Sequence, residues 1–293
     1  MNLQWYPGHM TKAIRMMQEN IKLIDIIIEV VDARIPAASR NPDIDELGKN
    51  KFRLIVLNKS DLADNQVTKK WKEYYEKQGL FVMEMNSKTG NEAGKVKDLV
   101  QKACAEKIER DKKRGIVGRP IRAMVAGIPN VGKSTFINKL AGKASAKTGN
   151  KPGVTKGKQW ITLSKSMQLL DTPGILWPKF EDEQVGLRLA LIGSMNDENL
   201  DIAELACELI KELEKFYPEA IFEKYGITKE QLSELEEDQY STPASRVLSA
   251  IAINRKCLLA GGNPDISRAA ALLLDDFRNG RLGKISLERP DEQ

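Results

Sequence analysis

Four short apolar runs punctuate the first half of the chain: residues 24–31 (IDIIIEVV), 52–57 (FRLIVL), 80–85 (LFVMEM) and 121–126 (IRAMVA). Near-continuous apolarity over so few positions, rich in β-branched residues, predicts strands buried on both faces of a parallel sheet. Charged, helix-patterned segments, notably 67–78 and 93–113, fall between them, so strand and helix alternate as in a doubly wound α/β fold. Residues 160–163 and 167–170, separated by Ser164-Lys165-Ser166, read as a hairpin. After Trp177-Pro178 the period changes. Ile202, Leu205, Ala206, Leu209, Ile210 and Leu213 recur at the spacing of an amphipathic helix. A second helix is expected over 244–259, before Gly261-Gly262, and a third behind the N-cap candidate Asp265. The expected division is an α/β domain over 1–178 and an all-α domain over 179–293.

Composition narrows the class. With 41% hydrophobic and 30% charged residues, the chain has the make-up of a globular protein and not of a disordered one. Cys104, Cys207 and Cys257 are widely spaced and odd in number, which encodes neither a disulfide framework nor a zinc site. No apolar run approaches the roughly 20 residues that span a bilayer, and the N-terminal stretch has no signal or transit pattern. The expectation is a cytoplasmic protein with no membrane partner. Charge is unevenly placed: residues 1–175 hold 32 basic and 18 acidic side chains, residues 176–293 hold 14 and 23. A basic first half suggests a polyanionic partner, with nucleic acid the leading candidate.

The candidate chemistry begins at Gly127-Ile128-Pro129-Asn130-Val131-Gly132-Lys133-Ser134, which fits the phosphate-loop pattern and sits between a predicted strand and a predicted helix. In that setting backbone N–H groups from Pro129, Asn130, Val131, Gly132, Lys133, Ser134 and Thr135, proline excepted, converge with the helix N-terminus on phosphate oxygens. Lys133 would neutralise the β- and γ-phosphates and the Ser134 hydroxyl would bind magnesium. Asp171-Thr172-Pro173-Gly174 follows the next strand, with Asp171 as the magnesium-side carboxylate and Gly174 offering an N–H to the γ-phosphate. Between them Lys151-Pro152-Gly153-Val154-Thr155 offers Thr155 as a second magnesium ligand that closes over the γ-phosphate.

Asn58-Lys59-Ser60-Asp61 then acquires meaning. Asp61 can accept hydrogen bonds from N1–H and the exocyclic amine of guanine, whereas adenine presents an acceptor there. Asn58 would hold the base and the neighbouring loop, and the Lys59 stem would cover the ring face. Asn86-Ser87-Lys88 follows the next strand as a second base-side loop. Ser145-Ala146-Lys147, a closer literal match to the usual serine-alanine-lysine, has no strand before it and is treated as a decoy.

The order is base loops first, phosphate loop and switches after, whereas an ordinary GTPase starts at the phosphate loop. Together with Trp5-Tyr6-Pro7-Gly8-His9-Met10, Val31-Asp32-Ala33-Arg34-Ile35-Pro36, NKSD, GIPNVGKS, PGVT and DTPG, that order resembles the circularly permuted GTPases, and among them the ribosome biogenesis GTPase A (YlqF) family. The resemblance implies a doubly wound P-loop GTPase domain, circularly permuted, with a C-terminal all-α domain. It implies a GTP-hydrolysing switch that helps mature the large (50S) ribosomal subunit, contacts ribosomal RNA in the GTP state and leaves on hydrolysis. No DNA partner is expected, and the protein is expected to be monomeric off the ribosome. Basic clusters at Lys112-Lys113-Arg114, Arg119 and Arg122, and at Arg255, Lys256, Arg268, Arg278, Arg281 and Lys284, are candidate RNA contacts.

Ras-type enzymes orient the attacking water with a glutamine directly after the aspartate-to-glycine motif. Ile175 stands there and cannot hydrogen-bond. The resemblance implies that His9, the single histidine of the chain, takes a catalytic part, and that Asn130 serves a potassium ion, as in potassium-stimulated GTPases. Alternatives are a nucleotide-gated RNA-binding scaffold with negligible hydrolysis, a permuted GTPase acting on the small subunit, and an ATP-dependent kinase, which Asp61 disfavours.

Overall fold

The computed structural model describes residues 8–142, 159–177, 180, 182–196, 198, 200–235 and 242–292. Its centre is a six-stranded sheet of β1 (Ile26–Asp32), β2 (Phe52–Asn58), β3 (Phe81–Met85), β4 (Ile121–Ala126), β5 (Gln159–Ser164) and β6 (Met167–Asp171). The spatial order is β3-β2-β1-β4-β6-β5, all parallel except β5, which pairs with β6 as an antiparallel hairpin bulged between Thr162 and Ser164. All seven residues of β1 are buried, as a central strand covered on both faces requires. Period-two alternation along β2 sends Ile55 and Leu57 to a cluster with Val67, Trp71 and Tyr75, and Leu54 and Val56 to the larger core on the other face.

The sheet is flanked by α1 (Gly8–Asn20), α2 (Pro42–Leu47), α3 (Asn65–Lys77), α4 (Ala93–Ala103), α5 (Ala105–Lys113) and α6 (Lys133–Ala141). Two expectations are refined here. The single helix expected over 93–113 is two, broken at Cys104, whose side chain is fully buried. Six-residue α2 was not anticipated, although Asn41 caps it by accepting from Asp43 N and Pro42 fills its first turn.

The second half is helical: α7 (Glu183–Leu191), α8 (Ile202–Phe216), α9 (Glu219–Tyr225), α10 (Lys229–Glu234), α11 (Pro243–Asn254) and α12 (Ile266–Arg278). The apolar stripe of α8 is buried against α11 and α12, and Asp265 caps α12 by accepting from Arg268 N. Helix α11 stops at Asn254, short of the expected 259. Lys256 adopts a left-handed backbone (φ 55°), and the chain pairs back on itself between Leu258 and Pro264.

After α12 the chain returns to the sheet. Ile285 N donates to Leu62 O (3.0 Å) and Leu287 N to Arg34 O (2.9 Å), while Trp71 Nε1 donates to Glu288 O (3.1 Å). The buried Glu288 carboxylate accepts from Ala37 N (2.7 Å) and Ala38 N (3.0 Å) and faces Arg188 (3.3 Å). One continuous apolar core includes residues of both halves.

Candidate nucleotide-binding site

In a parallel sheet the carboxyl ends of the strands share one edge, and ligands collect where the strand order reverses, here between β1 and β4. Register puts Asp32 beside Asn58, Asn58 beside Met85 and Val125 beside Asp171. The phosphate loop, NKSD, Asn86-Ser87-Lys88 and DTPG therefore stand on a single edge, although 113 positions separate Asn58 from Asp171. Local order in the sequence has been exchanged, while the order in space is that of a nucleotide site.

At the phosphate end the loop from Gly127 runs into α6, whose first residues Lys133, Ser134 and Thr135 present the helix N-terminus. Gly132 has φ 94°, and a Cβ there would lie 2.5 Å from Asn58 Nδ2, so only glycine fits. Gly174 is equally constrained: a Cβ would meet Lys133 Nζ and the Pro129 backbone at 2.9 Å. DTPG thus rests directly on the phosphate loop, fixed further by Thr172 Oγ1 donating to Val125 O (2.7 Å).

Lys133 is buried, and its ammonium donates to Ile128 O (2.9 Å). Burial pushes its pKa down to about 8 against the opposing pull of Asp171. Burial likewise pushes Asp171 up to about 6 in spite of Lys133, and its Oδ1 is enclosed without a hydrogen-bond partner. An enclosed carboxylate oxygen lacking a donor suits a hard cation. No cluster of three or more acidic, histidine or cysteine side chains occurs among the described residues. This fits magnesium held by one carboxylate, hydroxyls and substrate phosphates rather than in an all-protein cage. Ile175 is buried in the core, with its N–H on Gly127 O (3.4 Å) and its carbonyl accepting from Asn41 Nδ2 (3.1 Å), so its side chain faces no water. His9 lies in the first turn of α1; its side chain, Thr155 and the Ser145-Ala146-Lys147 decoy lie outside what is described.

At the base end Asn58 joins three loops. Its Nδ2 donates to Val131 O (2.7 Å) of the phosphate loop, and its Oδ1 accepts from Ser87 Oγ (2.7 Å) and Ser87 N (3.2 Å). Asn86 builds its own turn, accepting from Lys88 N (3.0 Å) and Thr89 N (3.2 Å), and leaves Lys88 exposed. Lys59 has φ 57° and pairs through Nζ with Asp32 Oδ2 (2.9 Å). Burial alone would raise Asp32, yet Arg34 and Lys59 hold its carboxyl well below the usual range. Asp61 is exposed on the same loop.

Comparison with known proteins decides what kind of site this is. A family model described as a 50S ribosome-binding GTPase matches residues 122–244. The ribosome biogenesis GTPase A of Bacillus cereus is 47% identical over 292 residues, covering 100% of this chain and 95% of that one. The chain belongs to the ribosome biogenesis GTPase A family. The Thermotoga maritima member is 35% identical, with 99% of this chain and 95% of that one covered. The crystal structure of GNP-bound YlqF from T. maritima matches with a TM-score of 0.62 at 31% identity, over 96% of this chain and 99% of that one. The chain is accordingly a circularly permuted GTPase that binds GTP and GDP and hydrolyses GTP, which sets aside both the scaffold without turnover and the kinase.

Within this member of the family, the structure gives several residues that shape the site contacts that the sequence reading did not foresee. Ser194 Oγ donates to Pro129 O (2.8 Å) and Asn130 Nδ2 donates to Gly193 O, so the turn after α7 clasps the phosphate loop. Arg278 donates to Ala190 O (2.9 Å) and Leu191 O (3.0 Å) at the end of α7. It is therefore a helix-terminus partner, and Arg281, paired with Asp275 and Asp276, is likewise engaged within the protein. Asn41 was not singled out, although an asparagine before Pro42 is a readable helix-cap signal. Nothing local announces Ser194.

Proposed function

We propose that this GTPase is a switch for a late step of large-subunit assembly, binding precursor particles and their RNA in the GTP state and leaving after hydrolysis. The observation that carries the nucleotide part is the convergence of four loops on one sheet edge, with the Asp171 oxygen enclosed there and unpartnered. In this reading the phosphate-loop N–H groups and Lys133 neutralise the β- and γ-phosphates, and Gly174 senses the γ-phosphate. Ser134, Thr155 and Asp171 would hold magnesium, which polarises the phosphoryl group. Water attacks the γ-phosphorus, the bond to the β,γ-bridging oxygen breaks, and GDP and phosphate leave. With Ile175 buried, His9 is the proposed orienting group, and Asn130 the proposed contact for potassium. His9→Ala is expected to lower ribosome-stimulated turnover more than about tenfold at unchanged GTP affinity. Turnover that is equal in potassium and sodium would remove the ion from this scheme.

The partner is argued from charge. Residues 112–170 contain 13 Lys and Arg and no Asp or Glu. Lys112, Lys113 and Arg114 are exposed there, and Arg122 lies over the exposed Trp160 ring (5.6 Å), an arrangement suited to a phosphate backbone with stackable bases. The description of the matched model as a 50S ribosome-binding GTPase favours the large subunit over the small. The proposed division remains a GTPase domain over 1–178 and a helical domain over 179–293, in a cytoplasmic monomer. Sedimentation with separated ribosomal subunits and precursors tests this: salt-sensitive binding to large-subunit particles with a non-hydrolysable GTP analogue, but not with GDP, is expected. Equal binding in both nucleotide states would overturn the switch.

A further inference from the structure

The loop that carries Asp61 is held from behind by residues more than 200 positions later in the chain. A left-handed backbone at a non-glycine residue such as Lys59 costs on the order of 1 kcal/mol and persists where its surroundings over-determine it. Those surroundings can be named. Lys59 Nζ sits on Asp32 Oδ2, and Asp32 in turn takes a two-pronged contact from Arg34, Nε to Oδ1 (2.9 Å) and Nη2 to Oδ2 (2.8 Å). The remaining arm of Arg34, Nη1, donates to Phe277 O (3.2 Å) and Arg278 O (3.3 Å) at the carboxyl end of α12, and the guanidinium lies over the Phe277 ring (5.1 Å). One planar cation therefore joins a helix terminus to the carboxylate that fixes Lys59.

The other side of Asp61 is held by the same part of the chain. Leu62 N donates to Lys59 O (2.9 Å), and Leu62 O accepts from Ile285 N (3.0 Å). Asp64 N donates to Ser286 Oγ (3.1 Å). Gly280 backs so closely onto Leu62 that a Cβ would lie 2.6 Å from its Cδ2. Lys59 and Leu62, the residues bracketing Ser60 and Asp61, are thus both anchored to the segment that ends and follows α12.

We propose that Asp32 and Arg34 are positioning residues through which the end of α12 and the return segment 280–287 set the affinity and selectivity for the guanine base. The proposal rests on the reading of Asp61 as the guanine-binding carboxylate. Because the base is common to GDP and GTP, this path acts on both nucleotides alike, unlike the γ-phosphate contacts of DTPG. A force on the helical half would then reach the nucleotide at its base end.

Two substitutions in the full-length protein test it. Arg34→Lys keeps the charge and loses the fork, and Gly280→Ala drives a methyl group into Leu62 without touching any nucleotide-binding residue. Equilibrium binding of fluorescent GDP, GTP and their inosine analogues, which lack the exocyclic amine, is the readout. GDP and GTP affinities are expected to fall together by about tenfold, a coupling of the size found within contacting networks. The preference for guanosine over inosine nucleotides should shrink by a similar factor, and turnover at saturating GTP should stay within about twofold. Unchanged GDP affinity and unchanged base preference in both variants, each melting cooperatively, would overturn the proposal, as would a loss confined to GTP. Asp61→Asn separates the premises. If it leaves GDP binding intact, the guanine reading falls and takes this inference with it; if it weakens GDP while the other two variants do not, the coupling alone falls.

Discussion

The two ends of the nucleotide site are built differently. At the base end Asn58 bonds two loops, Asp32 takes Arg34 and Lys59, and the return segment holds the loop from outside. At the phosphate end Asp171 encloses an unpartnered oxygen, and Lys133 donates to its own loop. Preorganisation suits a part of the ligand that never changes, since rigid hydrogen-bonded groups select one base without being rearranged. An enclosed oxygen without a hydrogen-bond donor is a costly arrangement that, in the proposed scheme, a bound cation and phosphates would relieve. In the proposed reading, the end assigned to guanine is braced from within the protein, and the end assigned to the γ-phosphate takes its partners from the ligand.

That contrast can be broken by substitution, beginning with the largest effect. Lys133→Ala should lower GTP turnover by at least about 10³-fold, measured as phosphate release, because no other described cation lies inside the phosphate end. Asp171→Asn should lower turnover by about 100-fold and raise the magnesium concentration for half-maximal rate, with GDP affinity in the absence of magnesium little changed. Equal losses with and without magnesium would deny the carboxylate its metal role.

Asn58→Ala attacks the braced base end. It leaves Val131 O and both Ser87 groups without their partner, at a cost of about 2–4 kcal/mol in unfolding free energy and roughly 30-fold in affinity for GDP and GTP alike. A loss for GTP only would show that the two ends are not distinct. The smallest effect is expected from Glu288→Gln, behind the base end. Burial raises the Glu288 carboxyl to about 7 despite Arg188 and the Ala37 and Ala38 amides. A carboxyl raised in the folded state contributes stability that is complete below about 4.5 and is lost as pH rises through about 7. Urea unfolding should therefore show the parent protein losing stability between pH 5 and pH 8 while Glu288→Gln loses less.

Much of the phosphate end was legible in the sequence, because glycine, lysine and serine at fixed offsets between a strand and a helix leave few other meanings. The strands were readable for the same local reason, with boundaries moved by one or two residues, as from 24–31 to Ile26–Asp32. What the sequence withheld were partners. Arg34 was visible within VDAR, but its contact with Phe277 spans 243 residues and leaves no periodic trace. The same holds for Ser194 on Pro129 and Glu288 on Ala37. Helix ends failed where no glycine or proline marked them: Cys104 interrupts a helical pattern only because the core takes its side chain, and α11 stops at Asn254, two residues before Lys256 turns left-handed.

The long separation between Arg34 and its partners carries a consequence for how the protein is made. Residues 26–85, which supply the base end, leave the ribosome early, while Glu288, which closes over Ala37 and Ala38 from 250 positions away, is synthesised long after them. Contacts of such span close slowly and late. A growing chain that has just exposed NKSD holds the letters of a guanine site without the brace that shapes it. If the brace acts as proposed, nucleotide capture is expected to wait until translation has passed the return segment, keeping a half-made switch silent.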